Sequence, residues 1–241
     1  MAARTVIITG ASRGIGYDTA ELFAENGWNV AANYCQTAAP ALALAERFPN
    51  VEAFRADISK REEAYALIRM AIERFGKADV LINNAGIAQQ KLFTDITEEE
   101  WDRMFAVNVK GTMYCCQAVL RDMIRRKSGK IINVSSVWGQ KGASCEVHYS
   151  ASKAAVIGLT KALAKEVGLS GITVNCVAPG VIDTQMNRCH DEETMEALKE
   201  ETPLNRLGSV RDVAQLLLFL ASDKADFITG QVIGVNGGFG E

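Results

Sequence analysis

Thr5-Val6-Ile7-Ile8-Thr9 is an apolar, β-branched run, and Gly10-Ala11-Ser12-Arg13-Gly14-Ile15-Gly16 follows it directly. A short continuous apolar run ending at glycine is the mark of a strand covered on both faces. The stretch from Gly14 to Asn26 then carries apolar residues at helical spacing. Glycines at such a strand-to-helix turn allow a tight bend and close backbone approach, and the helix N-terminus presents unpaired N–H groups to a pyrophosphate. Their spacing here is G-x-x-x-G-x-G, not G-x-G-x-x-G, but the mechanics are the same. An ordinary turn is the competing reading. The place after the first strand of an alternating chain favours a dinucleotide cradle with Gly10, Ser12, Arg13, Gly14, Ile15 and Gly16 as contacts.

The alternation continues outward from that turn. Strand signals recur at Asn29–Asn33, Val51–Arg55, Val80–Asn83, Lys130–Ser135, Thr173–Ala178 and Val232–Val235. Between them, helical patterns cover Thr37–Phe48, Lys60–Phe75, Tyr149–Leu169 and Val210–Ala221. Apolar strands alternating with helices imply a doubly wound α/β (Rossmann) fold: a parallel sheet of about seven strands with helices on both faces. No low-complexity linker or repeat divides residues 1–241, so one domain is expected.

Composition limits the function classes. The 241 residues are 48% hydrophobic and 23% charged, ordinary globular usage that needs no disulfide or metal staple. A net charge of -3 without a strongly basic half argues against nucleic acid as a partner. The run Arg125-Arg126-Lys127 reads as a solvated helix end. No segment reads as a signal peptide or a membrane span, so the expected location is the cytoplasm, with no membrane partner. The six cysteines form no Cys-x-x-Cys pair and only two histidines accompany them. Reduced, apolar cysteines are expected, with no metal site. A redox switch at Cys115-Cys116 is disfavoured, because adjacent helical residues point about 100° apart.

Cofactor choice is read at the end of the second strand, where a carboxylate about 20 residues beyond the turn would select NAD. Here Asn33-Tyr34-Cys35 stands instead, and Arg13 is available to a 2′-phosphate, so NADP(H) is favoured over NAD(H). Asp57 and Ile58 follow the third strand; Asp57 suits an adenine amino group or a helix cap equally. Asn83-Asn84-Ala85-Gly86 closes the fourth strand, where the sheet meets the ligand crevice, and Asn84, Ala85 and Gly86 are candidate contacts.

Tyr149 and Lys153 are i, i+4 neighbours on one helix face. Lowering a phenol by about three pK units takes about 4 kcal/mol, which one cation about 4 Å away supplies at an effective dielectric near 20. Lys153, helped by an oxidised nicotinamide, is therefore expected to lower Tyr149. Ser136, at the end of a strand, can hold a substrate carbonyl while Tyr149 gives it a proton. Ser135 is the competing residue, turned to the other face by strand alternation. Asn108 sits between Val107 and Val109 in a helical stretch, as either a half-exposed helix residue or a kink holding a proton-relay water.

Thr9–Gly16, Asp57, Asn83–Gly86, Asn108, Ser136, Tyr149–Lys153 and Pro179–Thr184 together resemble the classical short-chain dehydrogenase/reductase family over essentially the whole chain. The resemblance implies a tetrad of Asn108, Ser136, Tyr149 and Lys153, with Lys153 also binding the nicotinamide ribose. It implies that Pro179, Gly180, Ile182 and Thr184 seat the nicotinamide, and that the subunits form a homotetramer through helices near Trp101–Arg126 and Tyr149–Leu169. Ile228–Gly238 and Pro203–Gly208 are most similar to 3-oxoacyl-acyl-carrier-protein reductases, which implies a small or carrier-borne ketone substrate. Those reductases often carry arginine where this chain has Ser170, with Lys127 nearby. Trp138–Val147 is similar instead to reductases of the 5-aminopentanone modification on elongation factor P. Residues at about 183–208, with Asp191-Glu192-Glu193, are expected to form a substrate lid. A non-catalytic NADP-binding regulatory protein is the reading from another class.

Overall fold

Ile7 is buried between Ala31 and Leu81 on the neighbouring strands, and its neighbours Val6 and Ile8 are buried on the opposite face. The computed structural model describes residues 3–185 and 192–240. In chain order the first half is β1 (Thr5–Ile8), α1 (Gly14–Glu25), β2 (Asn29–Tyr34), α2 (Ala39–Arg47), β3 (Val51–Arg55), α3 (Arg61–Phe75) and β4 (Val80–Asn83). Then come α4 (Glu98–Phe105), α5 (Thr112–Arg126), β5 (Gly129–Val134), the short α6 (Trp138–Lys141), α7 (Val147–Val167) and β6 (Ile172–Pro179). The chain ends with α8 (Glu192–Glu200), α9 (Val210–Ala221) and β7 (Val232–Val235).

All seven strands are parallel, in the order β3-β2-β1-β4-β5-β6-β7. The expected α/β class and strand count are both met. Alternate residues of each strand enter two cores. Val6, Ile8, Val30, Ala32, Val80 and Ile82 pack with Phe23, Leu44 and Leu217 on one side. Ile7, Ala31, Leu81, Ile131 and Val174 pack with Leu67, Ile68, Val119 and Val167 on the other. Burial on both faces is why these strands read as unbroken apolar runs.

Strand order reverses at β1, whose neighbours are β2 and β4, which makes its carboxyl end the switch point where folds of this kind bind ligands. The helical stretch through Asn108 is not one α-helix. A π-helical segment, Ala106–Gly111, separates α4 from α5. Such insertions concentrate at functional sites. Gly111 permits it, since a Cβ there would lie 2.8 Å from Ile58 Cδ1.

The basic run at the end of α5 is more than a solvated end. Arg126 donates to Asp122 Oδ2 at 2.8 Å and to the Ala78 carbonyl, which ties α5 to the start of β4. Lys127 is left-handed, and its carbonyl would lie 2.6 Å from a Cβ on Gly171, so it stands beside Ser170 as the sequence suggested. The five described cysteines are free. Burial raises the Cys116 thiol to about 12 and Cys176 to about 11, so these are apolar fillers and not thiolates at neutral pH. Cys189, His190 and Asp191 lie outside the described residues, as does the rest of 186–191 in the first half of the expected lid.

Candidate active site

The glycine turn is held from behind by polar side chains. Asn33, buried at the end of β2, accepts from Gly10 N at 3.2 Å and donates to the Phe54 and Ala56 carbonyls. It therefore braces the turn from within the sheet, whereas the sequence reading placed it against the cofactor. Thr9 was not singled out from sequence, although it immediately precedes the first glycine. Its Oγ1 accepts from Asn84 N and Ala85 N at 3.0 and 3.1 Å, which locks the turn after β1 to the loop after β4. Asn84 returns two bonds, from Nδ2 to the Thr9 and Gly10 carbonyls.

Two glycines are required by this closeness. A Cβ on Gly10 would lie 2.8 Å from Ala85 Cα, and one on Gly16 would lie 2.2 Å from the Gly10 carbonyl oxygen. The result is a bare backbone concavity at the start of α1, whose first turn has no side-chain cap and no acidic residue. Arg13 is exposed at that cap position, beside Ser12 and Ile15. A pyrophosphate fits such a cradle. Across it stands Thr184, whose Cγ2 would be 3.6 Å from a Cβ on Gly14. Pro179 and Gly180 end β6, and Ile182 is pinned by a bridge to Gly208, so the segment leading to Thr184 is fixed at its root.

Asp57 caps a turn, accepting from Ser59 N at 3.1 Å and Ser59 Oγ at 2.6 Å. Burial pushes its carboxyl up, but the Ser59 bonds and Arg103 outweigh this and hold it below its ordinary value. Ile58 is buried against the π segment, Tyr34 is half-buried and Cys35 exposed.

The four tetrad candidates converge beyond the end of β5. Ser136 lies beside the Tyr149 phenol, near enough to lower its pKa, and its hydroxyl accepts from Trp138 N at 3.2 Å. Ser135 points away and donates to the Lys153 carbonyl at 2.8 Å, as alternation required. Lys153 is buried, and its ammonium donates to the Val134 carbonyl at 2.9 Å. A Cβ on Gly86 would lie 3.3 Å from that nitrogen and 3.2 Å from Asn108 Oδ1, so only glycine leaves this corner open. Asn108 is buried in the π segment. It accepts from Ile87 N at 2.9 Å and donates to the Ile87 carbonyl and Ser152 Oγ, both at 3.0 Å. Of the two readings of Asn108, the half-exposed helix residue is excluded by its burial, and its side chain binds α4–α5 to the β4 loop and α7.

Without a nicotinamide, burial raises the Tyr149 phenol to about 12, with Ser136 lowering it only in part and Glu146 raising it further. Burial likewise lowers Lys153 to about 8. Desolvation therefore outweighs the cation in the protein alone: the ammonium lies 5.7 Å from the ring centroid and is itself disfavoured. The phenol keeps its proton, as a proton donor must.

This has a consequence for stability. Lys153 titrates near 8 when folded and at 10.5 when unfolded, so between these values the unfolded chain binds more protons and stability rises with pH. Lys153→Met is expected to be more stable than wild type below pH 8, with the gap narrowing above pH 8 and closing only above pH 10.5. Urea melts of both proteins across that range test this. A gap independent of pH would contradict the assignment; Cys176, whose thiol Lys153 lowers, is replaced by alanine in both proteins so that its own titration does not enter.

A glycine-lined cradle at the switch point, followed by a serine, a protonated tyrosine and a buried lysine, defines a nucleotide-dependent reductase of carbonyl groups. A family model described as Enoyl-(Acyl carrier protein) reductase matches residues 10–240. The chain belongs to the short-chain dehydrogenase/reductase family, as an oxidoreductase acting on a ketone/alcohol pair. It is 44% identical to the 3-oxoacyl-acyl-carrier-protein reductase FabG of Staphylococcus epidermidis over 98% of both chains. It is likewise 44% identical to that of Staphylococcus aureus, over 98% of this chain and 97% of the other. The Chlamydia trachomatis reductase of the same name is 41% identical over 98% and 96% of the two chains. No described helix is long and apolar enough to cross a membrane.

Proposed function

We propose that this protein is an NADPH-dependent 3-oxoacyl-acyl-carrier-protein reductase of fatty acid synthesis. The observation that carries the reading is the convergence of the Ser136 and Tyr149 hydroxyls and the Lys153 ammonium beside the glycine cradle. Gly10, Ser12, Arg13, Gly14, Ile15 and Gly16 hold the pyrophosphate end, and Asp57, Ile58 and Asn84–Gly86 the adenine side. Pro179, Gly180, Ile182 and Thr184 seat the nicotinamide. When bound, the reduced nicotinamide supplies the hydride. Ser136 orients the ketone oxygen, Tyr149 delivers a proton to the oxyanion as it forms, and Lys153 steadies the resulting phenolate. Two electrons and two hydrogens are added, and the ketone becomes a secondary alcohol. Asn108 holds the helix and loop that frame the site.

NADPH is favoured over NADH because Arg13 is exposed at the cradle and no carboxylate follows β2 until Glu46. Residues 183–208 serve as a substrate lid, which is supported by firm attachments at its root and end: the Ile182–Gly208 bridge and the bond from Leu204 N to the Gly237 carbonyl. Assembly as a homotetramer through α5 and α7 is supported by Ala154, Gly158 and Ala162. These exposed small residues on α7 leave room for a close helix approach.

A second reading, reduction of a protein-borne 5-aminopentanone, is favoured by one feature. Glu146, one helical turn before Tyr149, raises the phenol electrostatically, which puts a carboxylate where an amine-bearing ketone would approach.

Oxidation of NADPH and NADH with an acetoacetyl thioester tests the first reading. Turnover is expected with at least tenfold preference for NADPH, and Arg13→Glu is expected to lose about tenfold or more in NADPH kcat/KM, the worth of a charged hydrogen bond, while sparing NADH. Binding of NADPH without reduction of the thioester would overturn the carrier-protein assignment and turn the assay to the elongation-factor ketone.

A further inference from the structure

Beside Tyr149 runs a chain of polar side chains that the reaction does not use. His148 is fully buried, with Nε2 3.0 Å from Gln89 Oε1. Gln89 Nε2 donates to Glu100 Oε1 at 2.8 Å, so its amide oxygen faces the imidazole and the donor there is Nε2–H. His148 Nδ1 is buried and has no hydrogen-bond partner. Glu100 also takes both bonds of Lys91 Nζ at 2.8 Å and completes the capping box of α4 by accepting from Thr97 N. The same loop meets the approach to α7 at two more points, from Lys91 N to the Cys145 carbonyl at 2.7 Å and from Gln90 Nε2 to Glu146 Oε1 at 3.4 Å.

We propose that His148 is a positioning residue that clasps the loop after β4 to the first turn of α7 through Gln89, and so fixes the wall of the substrate entrance against Tyr149. The inference rests on the ketone-reductase reading of that site. Beyond the clasp come Leu92 and Phe93, 60% and 64% exposed, whose placement the clasp sets and which offer an apolar lip to the substrate. The clasp requires a neutral imidazole, because a proton on Nδ1 would be buried without an acceptor. Burial lowers the His148 pKa, Glu100 opposes this and Lys91 adds to it. Glu100 and Lys91 on the loop side and Glu146 at the start of α7 are the charged groups around it. The neutral clasp therefore persists below the usual histidine range.

His148→Leu and Gln89→Leu each remove the bond and keep the volume. Each is expected to raise KM for the ketone about tenfold, the worth of one buried hydrogen bond, with kcat within about twofold. The double variant is expected to match Gln89→Leu, which already lacks the His148 bond along with its own bond to Glu100. His148→Gln, whose amide nitrogen reaches the place of Nε2, is expected to recover KM to within about threefold of wild type. NADPH affinity, read by fluorescence titration, stays unchanged in all of them. A readout free of turnover is the imidazole nitrogen spectrum. The chain has two histidines, and the signal missing in His148→Gln belongs to His148. Wild type is expected to hold the Nε2–H tautomer to below the ordinary histidine value, and Gln89→Leu to lose it. Additive effects in the double variant, an unchanged KM, or an Nδ1–H tautomer would each overturn the clasp. Should wild type reduce no ketone, the reductase reading falls and the tautomer alone decides the clasp.

Discussion

Tyr149→Phe is expected to lower kcat about 10³-fold, within the range seen when a positioned general acid is lost. The change removes one hydroxyl from a buried side chain and keeps its ring, so the packing of α7 against Ser136 is preserved. Loss of the hydroxyl's contact with Ser136 should cost no more than about 1 kcal/mol, or about 2–4 °C in Tm for a domain of this size. NADPH affinity should hold within about threefold, because the cradle at Gly10–Gly16 is built from backbone on another element. The raised pKa sharpens the expectation. A phenol at about 12 is fully protonated at neutral pH, so wild type begins each cycle with the proton in place. An alkoxide is a stronger base than a phenolate, and the transfer runs downhill once the hydride has arrived. Steady-state rates and a thermal melt on the same preparation separate the two effects. A variant that keeps a tenth of wild-type kcat would remove Tyr149 from the role of acid.

What the sequence disclosed depended on which force governed each feature. The central strands were readable almost to the residue because both faces are buried, as at Val80–Asn83, and the only partly buried edge strands Val51–Arg55 and Val232–Val235 also stand where the sequence put them. Ser136 was separated from Ser135 by alternation alone, a purely geometric rule. Less was visible where orientation or desolvation decides. Asn33 lies at the predicted position, but nothing in the sequence tells whether a strand-end amide turns outward to a ligand or inward to the Phe54 and Ala56 carbonyls. The i, i+4 spacing of Tyr149 and Lys153 fixes proximity and not burial, and burial sets both pKa values. The π segment was hidden because Ala106–Gly111 continues an α-helical pattern. Only an asparagine between two valines hinted that the backbone there does something else. His148 gave no signal at all, since its partners Gln89 and Glu100 come from an element distant in sequence.

Gly16→Ala is expected to be the most damaging change of a single methyl group in the molecule. Gly16 lies in the first turn of α1, where alanine would ordinarily help a helix by about 1 kcal/mol. Here the added Cβ would sit 2.2 Å from the Gly10 carbonyl oxygen and 2.4 Å from Asn84 Nδ2. Neither neighbour is the free end of a flexible chain. The carbonyl is backbone in the cofactor turn, and the amide holds the Thr9 and Gly10 carbonyls. Relief therefore requires α1 to move away from β1, and the turn and the loop after β4 lose their register together. Overpacking of this kind costs about 1–3 kcal/mol, or a Tm lower by about 2–12 °C at this chain length. On the proposed pyrophosphate site the cofactor effect should be larger still, because the displaced groups would be its N–H donors: NADPH Kd is expected to rise about 100-fold. Gly14→Ala provides the contrast. Its Cβ would meet only Thr184 Cγ2 at 3.6 Å, and its penalty is the left-handed φ of 54°, about 1–2 kcal/mol. Isothermal titration with NADPH and thermal melts of both variants read this difference. Equal losses would mean that backbone conformation governs the cradle, and not the approach of α1 to the Gly10 carbonyl.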